Sequence, residues 1–375
     1  MSDTALPDMK AETMRAAVAW DDARALRVET CGVPVPGAGE VLVRIAACGI
    51  CHTDLGAAKK RLNTPLPRIL GHEGAGVVEA VGPGVGALQP GDHVILSYLW
   101  CGACETCLAG HPYYCMQARS LNFGGEGTSQ KGVACREGTV GIGFFGQSSF
   151  AHFALATERN AVKIDPATPW EIAAAAGCGV QTGAGTVLNV LKPLAGQNIA
   201  IFGAGTVGLA AVMAAKIAGC RHIVAIDVHQ SRLDLAAAVG ATGLVVSTGN
   251  VAADVRAVAG NRLDFAIDTT GVPEIVAAMV DALAPLGRAA CVAAPNFGAP
   301  YHFNSTQLLV KGITLVGVLQ GQSIASEFLV RLLDYWKAGQ LPIDRIINTF
   351  DFEDIGSALR SLENGAIVKP VLLMR

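Results

Sequence analysis

The chain has 375 residues, room for two domains at about 100–200 residues each. It is 51% hydrophobic and only 16% charged, against about 25% charged in an average soluble protein, which excludes a disordered chain. A formal net charge of −3 leaves no basic surplus to neutralise phosphates, so no nucleic-acid partner is expected.

Residues 1–8 carry no basic segment followed by an apolar core, so no secretory signal is read there and a cytoplasmic protein is expected. Eleven cysteines is an odd number that cannot pair completely. A chain of this size needs no disulfide staples, and in a reducing compartment clustered cysteines read as metal ligands or catalytic groups. All eleven are therefore expected to be unpaired, with Cys31, Cys48, Cys135, Cys220 and Cys291 as plain thiols.

From residue 14 to about 166 the chain reads as β-rich. Short alternating or apolar runs at 16–20, 41–47, 76–81, 93–96 and 150–156 are separated by Gly/Pro/Asp turns. Within it lie Cys48-Gly-Ile-Cys51-His52-Thr53-Asp54 and then Gly71-His72-Glu73-Gly74. Cys48 and Cys51 suit a redox pair as well as a ligand site, and His72 suits a core position. Next comes Cys101, Cys104, Cys107 and Cys115, spaced C-x2-C-x2-C-x7-C. Four thiolates so close together suit a tetrahedral structural zinc holding a lobe without a core of its own. The bacterial iron–sulfur spacing, with three residues before the fourth cysteine and a proline after it, is absent. A further segment, Gly177-Cys178-Gly179-Val180-Gln181-Thr182-Gly183, is weak by itself, because a lone buried cysteine is an ordinary small hydrophobe.

From about 180 to 320 buried β-type runs (199–202, 223–226, 265–268) alternate with alanine-rich helical ones (208–219, 232–239, 274–283). Such alternation indicates a parallel sheet covered on both faces. The apolar stretch 199–220 contains Lys216 and several glycines and reads as strand, turn and helix, so no membrane span is expected. Gly203, Gly205 and Gly208 form a GxGxxG between strand and helix, the context a dinucleotide site demands. Gly203 permits the turn, Gly205 the approach of the pyrophosphate, and Gly208 close helix–strand packing. Asp227 closes the next strand where a carboxylate would bind the adenosine ribose, which favours NAD over NADP; Arg232 follows beside the ribose or the adenine face. The tail returns to mixed structure with an amphipathic 327–337 segment. The fold class is α/β: a doubly wound parallel Rossmann sheet (residues 180–320) inserted in a β-rich catalytic domain (1–179 and 321–375).

Five ordered motifs carry a family resemblance: the CHTD segment at 51–54, the GHE-x-x-G-x-V-x-x-V-G run from Gly71 to Gly82, the four-cysteine loop, the Gly177–Gly183 segment and the glycine fingerprint. Together they resemble the zinc-dependent medium-chain alcohol dehydrogenases, from about Ala16 to the C-terminus. The resemblance implies a GroES-like catalytic domain and a catalytic zinc on Cys51, His72 and Cys178, hence two zinc ions per chain. It implies Thr53 as the hydroxyl on the alcohol side and Asp54 and Glu73 as groups orienting the zinc ligands. It further implies His52 and Lys369 at the cofactor pyrophosphate, Thr182 near the nicotinamide, and a homodimer or homotetramer. Many family members end a proton relay on a histidine five residues after Cys51, where this chain has Gly56.

The segments Leu121-Asn122-Phe123-Gly124-Gly125, Phe144-Phe145-Gly146-Gln147-Ser148-Ser149-Phe150 and Gly339-Gln340-Leu341-Pro342-Ile343-Asp344-Arg345 are similar to the benzyl-alcohol and geraniol dehydrogenase branch, implying a primary aryl or allylic alcohol as the small-molecule substrate. Phe144 and Phe145 suit either an apolar pocket or plain core. Two alternatives stand beside this reading. Arg119, four residues after Cys115, matches a thiol-adduct (S-hydroxymethylglutathione) formaldehyde dehydrogenase. A non-catalytic zinc and nucleotide-binding protein would bind cofactor without turnover.

Overall fold

The strands follow the period of two that a half-buried sheet requires. In β5 (Gly74–Val81), Gly76, Val78 and Ala80 are buried while Val77, Glu79 and Val81 are more accessible. The structure, a computed structural model, describes residues 12–21, 26–124, 131–248, 250–293 and 300–375. Residues 1–8 and Gly125, used above, lie outside them. Two compact units emerge, Met1–Gly177 with Ile347–Arg375, and Cys178–Ile346.

The first unit contains two sheets. β1 (Thr13–Ala19), β2 (Arg27–Gly32), β7 (Gly132–Cys135), β8 (Gly138–Gly141) and β4 (Arg68–Ile69) close into a small barrel. The second sheet runs β10 (Ala161–Lys163), β6 (His93–Leu96), β5, β3 (Glu40–Gly49), β18 (Lys369–Leu373), β17 (Ile347–Asp351), with β9 (Phe153–Thr157) also paired to β3. The C-terminal strand thus completes the sheet begun by β3, its Val371–Leu373 lying opposite Gly49–Ala47.

One sequence expectation is corrected here. Cys31 and Cys135 are not free thiols but a disulfide, 104 residues apart in sequence. They are the facing pair that joins β2 to β7, and register, which sequence spacing does not reveal, brings them together. This bond stands against the argument that every cysteine sits reduced.

In the second unit, β13 (Gly243–Val246), β12 (His222–Asp227), β11 (Asn198–Phe202), β14 (Phe265–Asp268), β15 (Arg288–Cys291) and β16 (Thr314–Gly317) lie side by side in that order, every pair parallel. Renumbered within the sheet the order is 3-2-1-4-5-6, the doubly wound dinucleotide-binding arrangement. β11 is buried at every position, as a strand covered on both faces must be. The 199–220 stretch divides into β11, the glycine turn and the helix Thr206–Ile217. Among the described residues no helix is long and apolar enough to cross a membrane.

The second unit extends past residue 320 to Ile346. The helix Ala325–Lys337 buries Phe328, Leu329, Leu332 and Leu333. Arg331 reaches Asn189 at 3.4 Å and Arg345 donates to the Ala238 carbonyl at 3.2 Å. These bonds tie the segment to the unit containing the parallel sheet.

Candidate active site

Cys51 caps the short helix His52–Ala58 from an extended backbone (φ −128°, ψ 159°). Asp54, third in that helix, accepts the Cys51 N–H at 2.9 Å through Oδ2, the reciprocal half of a capping box. Its other oxygen accepts the Gly71 N–H at 3.2 Å and lies 2.9 Å from His72 Nδ1. One buried carboxylate therefore ties the segment carrying Cys51 to the segment carrying His72. Gly71 adopts φ +86°, and a Cβ there would collide with the Phe150 backbone nitrogen, so only glycine serves this turn.

Cys178 is the first residue past the division of the units. It sits on the helical run that starts at Trp170–Ala175 and widens into a π turn over Ala176–Val180. π turns of this kind frequently mark functional positions. Ligand atoms of Cys51, His72, Glu73 and Cys178 all lie within 4.8 Å of one another. With Nδ1 engaged by Asp54, His72 Nε2 is buried without a hydrogen-bond partner, at a cost of about 1–3 kcal/mol that a metal ion would remove. Burial favours the neutral His72 imidazole, but the Asp54 carboxylate and the Cys51 sulfur outweigh it and raise its proton affinity well above the usual value. The carboxylate and the sulfur thus favour positive charge on the imidazole. Two thiolates and one imidazole are a zinc donor set with an open fourth position.

Thr53 is half-buried, its Oγ1 3.6 Å from Cys51 Sγ. Phe145 stacks on the His72 ring, centroids 4.5 Å apart, with Phe144 edge-on at 5.8 Å and Phe123 packed against both. The two adjacent phenylalanines are therefore both core and wall of the site. Gly56 has its would-be Cβ 3.3 Å from Leu62. His52 is exposed on the helix beside it.

Lys369, expected at a pyrophosphate, is 1% exposed, its ammonium paired with Glu73 and 3.4 Å from the Ile50 carbonyl. Burial raises the Glu73 carboxyl, and Lys369 pulls it back only in part. A Cβ on Gly49 would strike both members of the pair, so that glycine makes room for a buried ion pair beside the metal group.

The four-cysteine lobe is built locally. Sulfur–sulfur distances are 3.4 Å for Cys104–Cys107 and 3.9 Å for both Cys101–Cys107 and Cys104–Cys115. A tetrahedral zinc with bonds of about 2.3 Å requires edges of about 3.8 Å. Backbone N–H groups of Ala103 and Cys104 point at the Cys101 sulfur (3.4 and 3.3 Å) and that of Met116 at the Cys104 sulfur (3.4 Å). The Thr106 hydroxyl first, then the backbone N–H groups of Cys107 and Met116, hold the Cys104 thiol down at about 5. The residues fit a closed zinc site.

In the second unit, Gly203 turns at φ +95° between β11 and its helix. A Cβ on Gly208 would collide with the Gly203 carbonyl, whereas at Gly205 it would meet nothing within 4 Å. The loop therefore presents open backbone at the helix N-terminus, the cradle a pyrophosphate fits. Asp227 accepts the Ala204 N–H at 2.7 Å and the His229 N–H at 2.9 Å, so its carboxylate also fastens the glycine loop. Arg232 lies 3.8 Å from it and leaves a buried Nε without a partner. Thr182, nearly buried, is on the helix Gln181–Gly185. Sequence reasoning gave no role to Ser97, which belongs to no spaced motif, took Gln147 only as part of a family-like segment, and did not pair Lys369 with Glu73.

Residues 37–166 match the alcohol dehydrogenase GroES-like domain and residues 206–334 the zinc-binding dehydrogenase domain. A geraniol dehydrogenase of Castellaniella defragrans is 40% identical over 353 residues, 93% of this chain and 94% of that one. A crystal structure of an alcohol dehydrogenase zinc-binding domain protein from Burkholderia ambifaria superimposes with a TM-score of 0.94 at 41% identity, covering 97% of this chain and 99% of the other. That of benzyl alcohol dehydrogenase from Acinetobacter calcoaceticus does so with a TM-score of 0.91 at 38% identity, covering 97% and 100%.

Proposed function

Since the chain belongs to the zinc-binding alcohol dehydrogenase family, we propose that it interconverts a primary aryl or allylic alcohol and its aldehyde, using NAD and two zinc ions per chain. The observation that carries this reading is the unpartnered Nε2 of His72 beside the sulfurs of Cys51 and Cys178. The geraniol and benzyl alcohol dehydrogenases among its relatives support the substrate class. Phe144 and Phe145, packed on the His72 ring, supply aromatic wall beside the ligands.

When bound, zinc supplies a Lewis acid that makes loss of the alcohol proton feasible near neutral pH, and the nicotinamide accepts the hydride. Cys51, His72 and Cys178 hold that metal, and Asp54 fixes the imidazole in the tautomer that leaves Nε2 free to ligate. Thr53 would take the alcohol proton at Oγ1 while releasing its own hydroxyl proton outward along the cofactor ribose. With Gly56 in place of a relay histidine, the proton leaves by water or by the exposed His52. Phe145 keeps one face of the imidazole dry. Cys101, Cys104, Cys107 and Cys115 hold the second zinc as a structural clamp. Gly203, Gly205 and Gly208 cradle the pyrophosphate, with Thr182 near the nicotinamide. Asp227 discriminates against a 2′-phosphate, and Arg232 flanks the ribose. Lys369 holds Glu73 and contributes positive potential from behind the site.

A panel of alcohols with NAD and NADP, run beside a zinc determination, tests the proposal. Benzyl or cinnamyl alcohol should reduce NAD without added thiol, at two zinc per chain. A strict requirement for S-hydroxymethylglutathione, cofactor binding without turnover, or one zinc or fewer in active enzyme overturns it.

A further inference from the structure

Asp54 accounts for one side of the metal group, joining Cys51 to His72. A buried amide makes a second set of ties to it. Gln147 is 1% exposed. Its Nε2 donates to the His72 carbonyl at 2.9 Å and the Ser97 carbonyl at 3.1 Å. Its Oε1 accepts the Gly74 N–H at 3.1 Å and the Ser149 hydroxyl at 2.6 Å. A carboxamide offers two donors and two acceptor sites, so every one is used. Ser97, itself fully buried, donates its hydroxyl to the Gly177 carbonyl at 3.0 Å, and the next residue along is Cys178.

The surrounding backbone is shaped around these bonds. A Cβ on Gly74 would collide with Ser149 Oγ, and one on Gly177 would lie 2.8 Å from the Leu96 carbonyl. The turn that delivers Gln147 holds positive φ at Phe145 (55°), Gly146 (66°) and Ser148 (64°), unfavourable for the two non-glycines. Ser148 secures it by accepting the Phe144 N–H at 2.9 Å and donating to the Ile69 carbonyl at 2.6 Å. Strain at buried, fully hydrogen-bonded positions is kept where surrounding structure over-determines it.

We propose that Gln147 and Ser97 form a brace that sets the separation of the metal ligands His72 and Cys178, as Asp54 sets that of Cys51 and His72. They are positioning residues, remote from the reacting atoms, and the inference rests on the metal-centre reading above. Glutamate at 147 keeps the size and the acceptors but loses the two donors. Methionine keeps the size and loses all four bonds.

The test compares purified holoenzymes by zinc content, by zinc release to a chromogenic chelator, and by the visible spectrum after cobalt replaces the zinc of the open site. Outer partners of metal ligands are commonly worth about 10–100-fold in metal affinity. Gln147→Glu and Gln147→Met should each release one of two zinc ions about tenfold faster, with the other leaving at the wild-type rate and the cobalt bands shifted. Ser97→Ala, which removes the hydroxyl bond to Gly177, should move release and spectrum the same way by less, and it carries the test if the Gln147 variants do not fold. Folded variants with wild-type release and wild-type cobalt bands overturn the brace. Wild-type protein holding a single zinc, removed by Cys104→Ser, overturns the metal-centre reading instead.

Discussion

The two cysteine clusters are built in opposite ways. In the lobe, four ligands fall between residues 101 and 115, and neighbouring backbone N–H groups aim at their sulfurs. Around Cys51, His72 and Cys178 the ligands come from distant parts of the chain, and side-chain bonds from Asp54 and Gln147 fasten the segments that bear them. A local cluster includes its own scaffold and gathers four sulfurs without help from distant segments. A dispersed one borrows the scaffold from the domain, which brings Cys51, His72, Glu73 and Cys178 within 4.8 Å of one another.

Four changes test that contrast, from the largest effect to the smallest. His72→Ala should lower alcohol oxidation by about a thousandfold or more, since a catalytic metal supplies several kcal/mol at 1.36 kcal/mol per tenfold. Zinc should fall to one per chain with little change in melting temperature, and parallel loss of both zinc ions would show that the clusters are not independent. Cys107→Ser should act on stability instead. Structural zinc contributes directly to folding, and at about 2–4 °C per kcal/mol a loss of several kcal/mol lowers the melting temperature by about 10 °C. A normal melting curve would mean that the lobe does not depend on its metal.

Asp54→Asn keeps the shape but removes the charge facing His72 Nδ1, and catalytic zinc should dissociate about tenfold more readily, measured by chelator competition with lobe zinc as internal reference. Equal weakening of both sites would erase the distinction drawn here. The smallest effect is expected from Gly56→His. Leu62 must yield a few tenths of an ångström to a Cβ only 3.3 Å away, and the new imidazole should shift the pH–rate profile of oxidation. An unchanged profile would show that protons do not leave along that helix.

How much was readable in advance follows the same division. The lobe was legible because its four ligands share one loop with metal-ligand spacing. The glycine fingerprint was legible because strand, turn and helix are consecutive: β11 is followed by Gly203 and Gly205 and then by the helix Thr206–Ile217, which contains Gly208. The dispersed ligands drew their meaning from family resemblance, since His72 alone is an ordinary core residue. Gln147 stood in a family-like segment, but its contacts were not legible there, because they form only when carbonyls from two other segments reach its amide. The Cys31–Cys135 bond ran against the sequence argument, because cysteine counting is blind to the register that opposes β2 and β7.

What the sequence determined by itself was local: the strand and helix periods, the switch from β-rich to alternating α/β, the four-cysteine lobe and the glycine turn between strand and helix. These rest on interactions between residues a few positions apart, whose geometry the backbone dictates. The tertiary structure alone decided that Lys369 is buried against Glu73, that Cys31 meets Cys135, and that Gln147 and Ser97 lie behind His72 and Gly177. Each depends on chain segments brought together by burial of apolar surface, a force without direction, so the polar contacts made there follow from packing and register and have no spacing to be read.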